Sequence, residues 1–197
     1  MSTTSSTMLK VLVLATLATQ LNACVPVVVG GAATAGSVAI DRRSAGNVVD
    51  DEGIELKANH QISQEVGDAV HANVTSFNRN VLITGEAFDE KSRTAPEAIV
   101  KSYPNVRHVT NELVIAPKTS LQTRSADAYI TTKVKASFVK ENLFNANHVK
   151  VVTENGTVFL MGVVTQKEAD DAVEIARNIS GVNKVVKVFE YVEAVSK

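Results

Sequence analysis

The sequence contains one cysteine and no tryptophan, and only 5% of its residues are aromatic. A single cysteine excludes an intramolecular disulfide and a zinc cluster built from several thiolates. With so few rings the hydrophobic core must be aliphatic, because valine, alanine, leucine and isoleucine dominate the 45% of apolar residues. The net charge of −1 excludes a uniformly basic nucleic-acid binder, so we expect no nucleic-acid partner.

The N-terminal region is typical of an exported protein. The apolar run Val11–Ala18, which follows Lys10, is too short for a membrane-spanning helix, which needs about 20 apolar residues. A positive residue, a short apolar run and a small residue before Cys24 are typical of a secretory signal peptide. We therefore predict a signal peptide over residues 1–23, with Met8 as an alternative start.

The motif Leu21-Asn22-Ala23-Cys24 resembles the lipobox of bacterial lipoproteins. The resemblance implies cleavage before Cys24, diacylation of its thiol, and a third acyl chain, such as palmitate, on the new N-terminus. Two or more chains anchor a protein stably, since each buried methylene contributes about 0.8 kcal/mol. Val25 stands where an aspartate would retain such a protein in the inner membrane. We therefore expect an outer-membrane lipoprotein that faces the periplasm. The alternative is a buried cysteine after an uncleaved helix.

The segment after Cys24 is interpreted as a tether. Residues 25–40 carry no charge and include three glycines and one proline, which makes a poor membrane helix. We assign residues 24–46 to the acylated cysteine and an apolar tether that lies near the bilayer or against a domain.

The rest of the chain contains two copies of one pattern, offset by about 76 residues. The aligned blocks are 51–62 with 127–138, 74–85 with 151–162, and 105–113 with 181–189. Three blocks in the same order at one offset indicate a duplicated domain. Each copy is predicted to form a helix, two strands, a second helix and a third strand.

In the second copy, Ser125 or Asp127 is expected to cap the first helix, which extends to around Glu141. The residues at positions i, i+4 and i+8 that form its core face are Ile130, Val134 and Phe138. Asn155-Gly156 between two β-rich runs is a strong signal for a type I′ hairpin. Gly181 is expected to end the second helix in the left-handed conformation.

The two copies resemble BON domains, and the order of lipobox, tether and two such domains resembles the dual-BON lipoproteins of the outer membrane. The positions that carry the resemblance are Asp127, Ile130, Lys133-Val134, Leu160-Met161-Gly162, Val182 and Val185, with Gly85 in the first copy. The resemblance implies an α+β fold of two tandem αββαβ sandwich domains, each a three-stranded mixed sheet covered by two helices. It also implies phospholipid binding and a role in envelope integrity, stress and cell division.

The predicted boundaries are 47–116 for the first domain, 117–124 for a linker and 125–193 for the second domain. A domain of about 70 residues buries only about 60% of the surface of its unfolded chain and is marginally stable alone. Because the linker is short, we expect the two domains to pack on each other.

The sequence has no recognisable enzyme motif. Glycine patterns that bind phosphates or dinucleotides are absent, and none of the four histidines is spaced with another as a metal-ligand pair. The adjacent carboxylates of Asp170-Asp171 are explained as capping or solvated helix charges. We therefore expect no enzymatic activity, no cofactor and no metal.

The first helix of the second copy has a candidate lipid-binding face opposite its core stripe. The residues of this face are Tyr129, Thr132, Lys133, Ala136, Val139 and Lys140. A tyrosine ring, small residues and lysines suit the headgroup region of an anionic bilayer. Three lysines and two acids give residues 127–141 a net charge of +1, whereas one lysine and three acids give residues 52–66 a net charge of −2. The family resemblance also places lipid contact on this helix.

Two alternatives remain open for this helix. In the first alternative, this face is an ordinary solvated surface and Tyr129 packs on the neighbouring domain. Alternatively, the protein is an interaction module that binds an envelope partner, such as an assembly factor or a cell-wall enzyme. Lipid binding through lysines should weaken steeply with ionic strength, which separates it from binding to a protein partner.

Overall fold

The computed structural model describes residues 41–193, all of which belong to one compact unit within residues 36–197. The predicted signal peptide, Cys24 and residues 25–40 of the predicted tether lie outside the described residues. The described part forms two consecutive α-β-β-α-β copies, each built around its own three-stranded sheet.

Each copy has two long helices and three strands in the predicted order. The elements of the first copy are α1 (Ala45–Glu65), β1 (Val70–Phe77), β2 (Asn80–Ala87), α2 (Glu90–Lys101) and β3 (His108–Ile115). The elements of the second copy are α3 (Leu121–Glu141), β4 (Val149–Glu154), β5 (Thr157–Val164), α4 (Gln166–Arg177) and β6 (Lys184–Tyr191).

The second strand of each copy is the centre of its sheet. It pairs antiparallel with the first strand through a tight hairpin, and parallel with the third. A parallel pair needs a crossover connection, which α2 and α4 provide. The predicted α+β fold with two mixed three-stranded sheets is confirmed.

Both hairpins turn through two residues with positive φ, the geometry of a type I′ turn. Asn155 and Gly156 have φ values of 47° and 72°, as the Asn-Gly signal predicts. Asn78 and Arg79 have φ values of 54° and 63° although neither is a glycine. This conformation is costly for arginine, so other contacts must hold the first turn in place.

A buried aspartate supplies those contacts. Asp51 of α1 accepts hydrogen bonds from the backbone N–H groups of Asn78 and Arg79 at 2.8 and 2.7 Å. It also accepts a hydrogen bond from the hydroxyl of Ser76 at 2.6 Å. Asp127 of α3 makes the equivalent pair of bonds with the turn of the second hairpin, at 2.9 and 2.8 Å. One carboxylate in each copy therefore ties the first helix to the hairpin.

The prediction that Ser125 or Asp127 caps α3 is wrong. The N-cap is Ser120, whose hydroxyl accepts a hydrogen bond from the backbone N–H of Thr123 at 3.1 Å. Ser125 lies inside the helix and donates a hydrogen bond to the carbonyl of Leu121 at 2.9 Å. The helix therefore begins before the predicted start of the second domain.

The predicted role of Gly181 also differs from the structure. Helix α4 ends at Arg177, with Asn178 as its C-cap. Gly181, with a φ of 99°, lies in the loop that leads to β6. A Cβ at this position would lie 3.1 Å from Cδ1 of Ile130. The glycine therefore allows this loop to approach α3 closely.

Each copy has its own core between its two helices and one face of its sheet. In the first copy, Ile83 and Val100 have no exposed surface. In the second copy, the predicted stripe of Ile130, Val134 and Phe138 is buried, with exposed fractions of 7%, 0% and 1%. The predicted core face of α3 is confirmed.

The other faces of the two sheets meet in a third apolar cluster. Its buried members are Phe77, Leu82, Phe159, Met161 and Val163. Leu82 comes from β2 and Met161 from β5, and neither has any exposed surface. An ion pair between Lys150 and Glu55, at 2.7 Å, also joins the two copies. The central strands are therefore buried on both faces along most of their length.

Candidate functional site

The six predicted lipid-binding residues lie together on the side of α3 that faces away from its core. This surface, the outer face of α3, consists of Tyr129, Thr132, Lys133, Ala136, Val139 and Lys140. Lys133 is half-buried and the other five residues are exposed. Tyr129 is 66% exposed and Val139 is 68% exposed, so both apolar groups are open to solvent. The alternative in which Tyr129 packs on the neighbouring domain does not fit this exposure.

The two lysines of the outer face are held differently. Nζ of Lys133 lies 5.5 Å from the centroid of the Tyr129 ring, in cation–π contact. The same ammonium donates a hydrogen bond to the carbonyl oxygen of Ser180 at 3.3 Å. The side chain of Lys140 is 82% exposed, with a carboxylate oxygen of Glu141 at 3.6 Å. The outer face therefore presents one positioned cation beside the ring and one solvated cation.

The corresponding face of α1 has different chemistry. Asp51 and Asp127 hold the two hairpins in the same way, which fixes the alignment of the two helices. In this alignment Tyr129 corresponds to Gly53, and Thr132 corresponds to Leu56. The pairing of an aromatic ring with a lysine therefore belongs to the second copy alone.

The sequence analysis missed one exposed apolar residue beside this face. Leu143 follows the C-terminal end of α3 and is 55% exposed. Its neighbour Phe144 packs edge-to-face on Phe138, with 5.1 Å between the ring centroids. The signal in the sequence is the Leu-Phe pair after Asn142, of which only one side chain can enter the core. Leu143 extends the apolar surface beyond the end of the helix.

Neither a metal site nor a spanning helix occurs in the described range. Within residues 41–193, no group of three or more histidine, cysteine, aspartate or glutamate side chains is arranged to hold a metal ion. The helices of the same range are all too short or too polar to cross a membrane. His71 and His148 each lie beside a carboxylate, with N–O distances of 3.1 and 3.5 Å.

Comparison with known proteins agrees with the repeat pattern. The model of the BON domain family matches residues 50–117 and 126–193, which together make up more than half of the chain. Among solved structures, the C-terminal domain of CdsD, a structural protein of the Type III secretion system of Chlamydia trachomatis, is 12% identical with a TM-score of 0.30. That match covers 68% of this chain and 96% of the other, and at this score it carries no argument.

Three relatives cover most of the chain. The outer membrane lipoprotein DolP of Haemophilus influenzae is 39% identical over 88% of this chain and 91% of its own length. The 21 kDa hemolysin of Actinobacillus pleuropneumoniae is 36% identical over 78% of this chain and 80% of its own length. The osmotically-inducible protein Y of Escherichia coli is 29% identical over 71% of this chain and 72% of its own length. The chain thus belongs to the BON-domain family, as an outer-membrane lipoprotein with two BON domains that faces the periplasm.

Proposed function

We propose that the outer face of α3 binds anionic phospholipid in the membrane that holds the acyl chains of Cys24. The observation that carries this proposal is that the side chain of Tyr129 is 66% exposed and lies next to the ammonium of Lys133. The equivalent helix of the first domain, α1, has no aromatic ring at the corresponding position. An amphipathic ring beside lysines matches the boundary between acyl chains and headgroups. The contact supports envelope integrity without a catalytic step.

The binding free energies expected for the outer face are those of a contact that selects among lipids, and they are too small to anchor the protein. Each lysine near an anionic surface contributes about 1 kcal/mol. Burial of the Tyr129 ring adds about 1–2 kcal/mol. This sum gives weak binding for a free domain, but a tethered domain meets the membrane at an effective concentration in the millimolar range. The acyl chains therefore hold the protein on the membrane, while the outer face selects regions rich in anionic lipid, including division sites.

Vesicle binding tests this proposal directly. The chain from residue 36 onward, whose described residues belong to one compact unit, should bind vesicles that contain phosphatidylglycerol when lipid is present at millimolar concentration, and should not bind vesicles of phosphatidylcholine alone. Tyr129→Glu should abolish this binding, whereas Tyr129→Phe should retain it. Leu56→Glu is the matched control, because it adds the same charge to an exposed position of α1. Full binding by Tyr129→Glu, together with unchanged localisation of the full chain in cells, would overturn the proposal.

An alternative function is the recruitment or regulation of an envelope-assembly or cell-wall protein. The observation that favours it is an apolar patch at the end of the first sheet, where Phe88 is 82% exposed. Val114 and Ile115 beside it are 52% and 54% exposed. Such a contact should survive on neutral lipid and at high salt, whereas lipid binding through lysines should not. Phe88→Ser should weaken only this alternative.

A further inference from the structure

A cleft of about 360 Å³ lies beside α3, at the boundary between the two domains. Its three cations come from distant parts of the chain, and they are Arg43, Lys135 and Lys150. Phe77 of the first domain and Val139 of the second supply apolar walls. No carboxylate is among the described residues that line the cleft. Its volume falls in the range of small-ligand sites, and its lining favours an anion.

Two of the three cations are fixed by carboxylates that lie behind the lining. The guanidinium of Arg43 sits 4.0 Å from the centre of the Phe77 ring and pairs with two carboxylates, Asp41 at 2.8 Å and Asp51 at 2.9 Å. Nζ of Lys150 pairs with Glu55 at 2.7 Å. Both positive groups are therefore held at the cleft wall before any ligand arrives, which lowers the cost of ordering them on binding.

Lys135 is the cation that lacks a counter-charge. Its side chain is exposed and forms no ion pair with any residue between 41 and 193. It lies one helical turn before Val139, so both side chains point to the same side of α3. Val139 belongs to the outer face and to the cleft at once. The cleft is therefore continuous with the surface proposed to meet the membrane.

We infer that this cleft is a subsite for the phosphate of an anionic phospholipid headgroup. The inference rests on the proposed function, because a lipid lying along the outer face would bring its phosphate to the cleft past Val139. A phosphoglycerol headgroup adds no positive charge, whereas a choline or ethanolamine headgroup would bring its ammonium beside Lys135, the cation that has no counter-charge. The cleft therefore selects anionic over zwitterionic lipid. Phe77 belongs to the first domain, and Asp51 of that domain holds Arg43 in place, so the first domain takes part in lipid selection.

Short-chain lipids test the subsite apart from the membrane. The probe is dihexanoyl-phosphatidylglycerol, kept below its micelle concentration and titrated into the chain from residue 36 onward. We expect saturable NMR shifts at the backbone amides of Asn147 and Lys150, which line the cleft. Lys135→Glu should weaken this binding at least about fivefold, as for the loss of one lysine near an anion. Lys91→Glu is the matched control, because Lys91 is an exposed lysine on α2 of the first domain.

The outcomes separate this inference from the proposed function. Equal shifts with dihexanoyl-phosphatidylcholine, equal affinity for inorganic phosphate, or unchanged binding by Lys135→Glu would each overturn the headgroup subsite. If phosphatidylglycerol vesicles still bind and Tyr129→Glu abolishes that binding, only the subsite fails. If the vesicles do not bind at all, the proposed function fails as well. The amide spectrum of Lys135→Glu confirms that the variant is folded.

Discussion

Arg42 and Glu168, which are 126 residues apart in the chain, form a two-bond ion pair between the segment before α1 and helix α4. The guanidinium nitrogens lie 2.6 and 3.0 Å from the two carboxylate oxygens. One of them also donates a hydrogen bond to the carbonyl of Val163 at 3.0 Å. The next residue, Arg43, pairs with Asp51 of the first domain at 2.9 Å. Two consecutive arginines therefore attach this segment to both domains.

Removal of this ion pair should destabilise the protein. Arg42→Ala should lower the free energy of unfolding by about 1.5–3 kcal/mol, the range for hydrogen bonds to charged groups. Urea unfolding measures this change. Arg177→Ala is the control, because Arg177 pairs with Glu174 at the surface, where the two side chains are 62% and 56% exposed. The control should lose only about 0–1 kcal/mol, and equal losses in the two variants would contradict the prediction.

The same pair predicts sensitivity to acid. Burial alone would raise the pKa of Glu168, but hydrogen bonds from Arg42 and Thr165 lower it from 4.5 to about 2. A carboxylate with a lowered folded-state pKa stabilises the fold above its unfolded pKa and loses this contribution as the pH falls through the folded value. The loss should therefore occur between pH 4.5 and about 2. Urea unfolding at several pH values should show a smaller loss in Arg42→Ala.

Glu154 should have the opposite effect on stability. Burial raises its pKa, and Glu86 and Asp127 raise it further against a lowering hydrogen bond from Asn73. A raised carboxyl pKa means that the ionised form is disfavoured in the folded chain, so the group lowers stability above its folded pKa. Glu154→Gln should therefore raise the free energy of unfolding at pH 7. The difference should vanish below the unfolded pKa, and a loss of stability at pH 7 would refute this account.

Features that depend on neighbours in sequence were predictable. The Asn155-Gly156 turn and the Ile130 core stripe follow from local backbone preference and helical period. The cap of α3 was not, because Ser120 and Ser125 are equally suitable by residue type. Asp127 is not the cap because its carboxylate accepts a hydrogen bond from a hairpin 28 residues away. Only the folded chain supplies that information.

The candidate site likewise has one part that the sequence predicts and one part that it does not. The outer face of α3 was predictable, since a helix with a buried stripe of period 3.6 must expose the residues opposite to it. The cleft was not predictable, because Arg43, Lys135 and Lys150 meet only when the two domains pack. Arg43 is fixed by Asp51, and Lys150 is fixed by Glu55. Both carboxylates belong to the first domain and are likewise distant from the second domain in sequence.

The two equivalent aspartates should differ in their contribution to stability. Asp51 holds two backbone N–H groups of a turn without glycine, and it pairs with Arg43. Asp51→Asn should cost about 3–5 kcal/mol, as for a broken buried ion pair. Asp127 binds two backbone N–H groups of the Asn-Gly turn, so Asp127→Asn should cost about 1–3 kcal/mol. Thermal unfolding of both variants measures the difference, and a larger loss in Asp127→Asn would contradict it.

The packing of the two sheets predicts that the domains tumble as one body. Met161 has no exposed surface and lies in the cluster with Leu82 and Phe159. A charge at this position would be buried without a partner, so Met161→Glu should open the boundary between the domains. Each domain should stay folded because it keeps its own helix–sheet core. NMR relaxation should give one correlation time for the wild type and two shorter ones for Met161→Glu.

The same variant connects domain packing to lipid selection. Separation of the domains removes Phe77 from the cleft and parts Lys150 from its first-domain partner Glu55, but it leaves the outer face of α3 intact. Met161→Glu should therefore lose most of its affinity for dihexanoyl-phosphatidylglycerol while it still binds anionic vesicles through Tyr129. Met161→Leu, which keeps an apolar side chain of similar volume, should behave as the wild type. Independent tumbling of the wild-type halves would remove the basis of this expectation, since a cleft shared by the two domains would then not persist in solution.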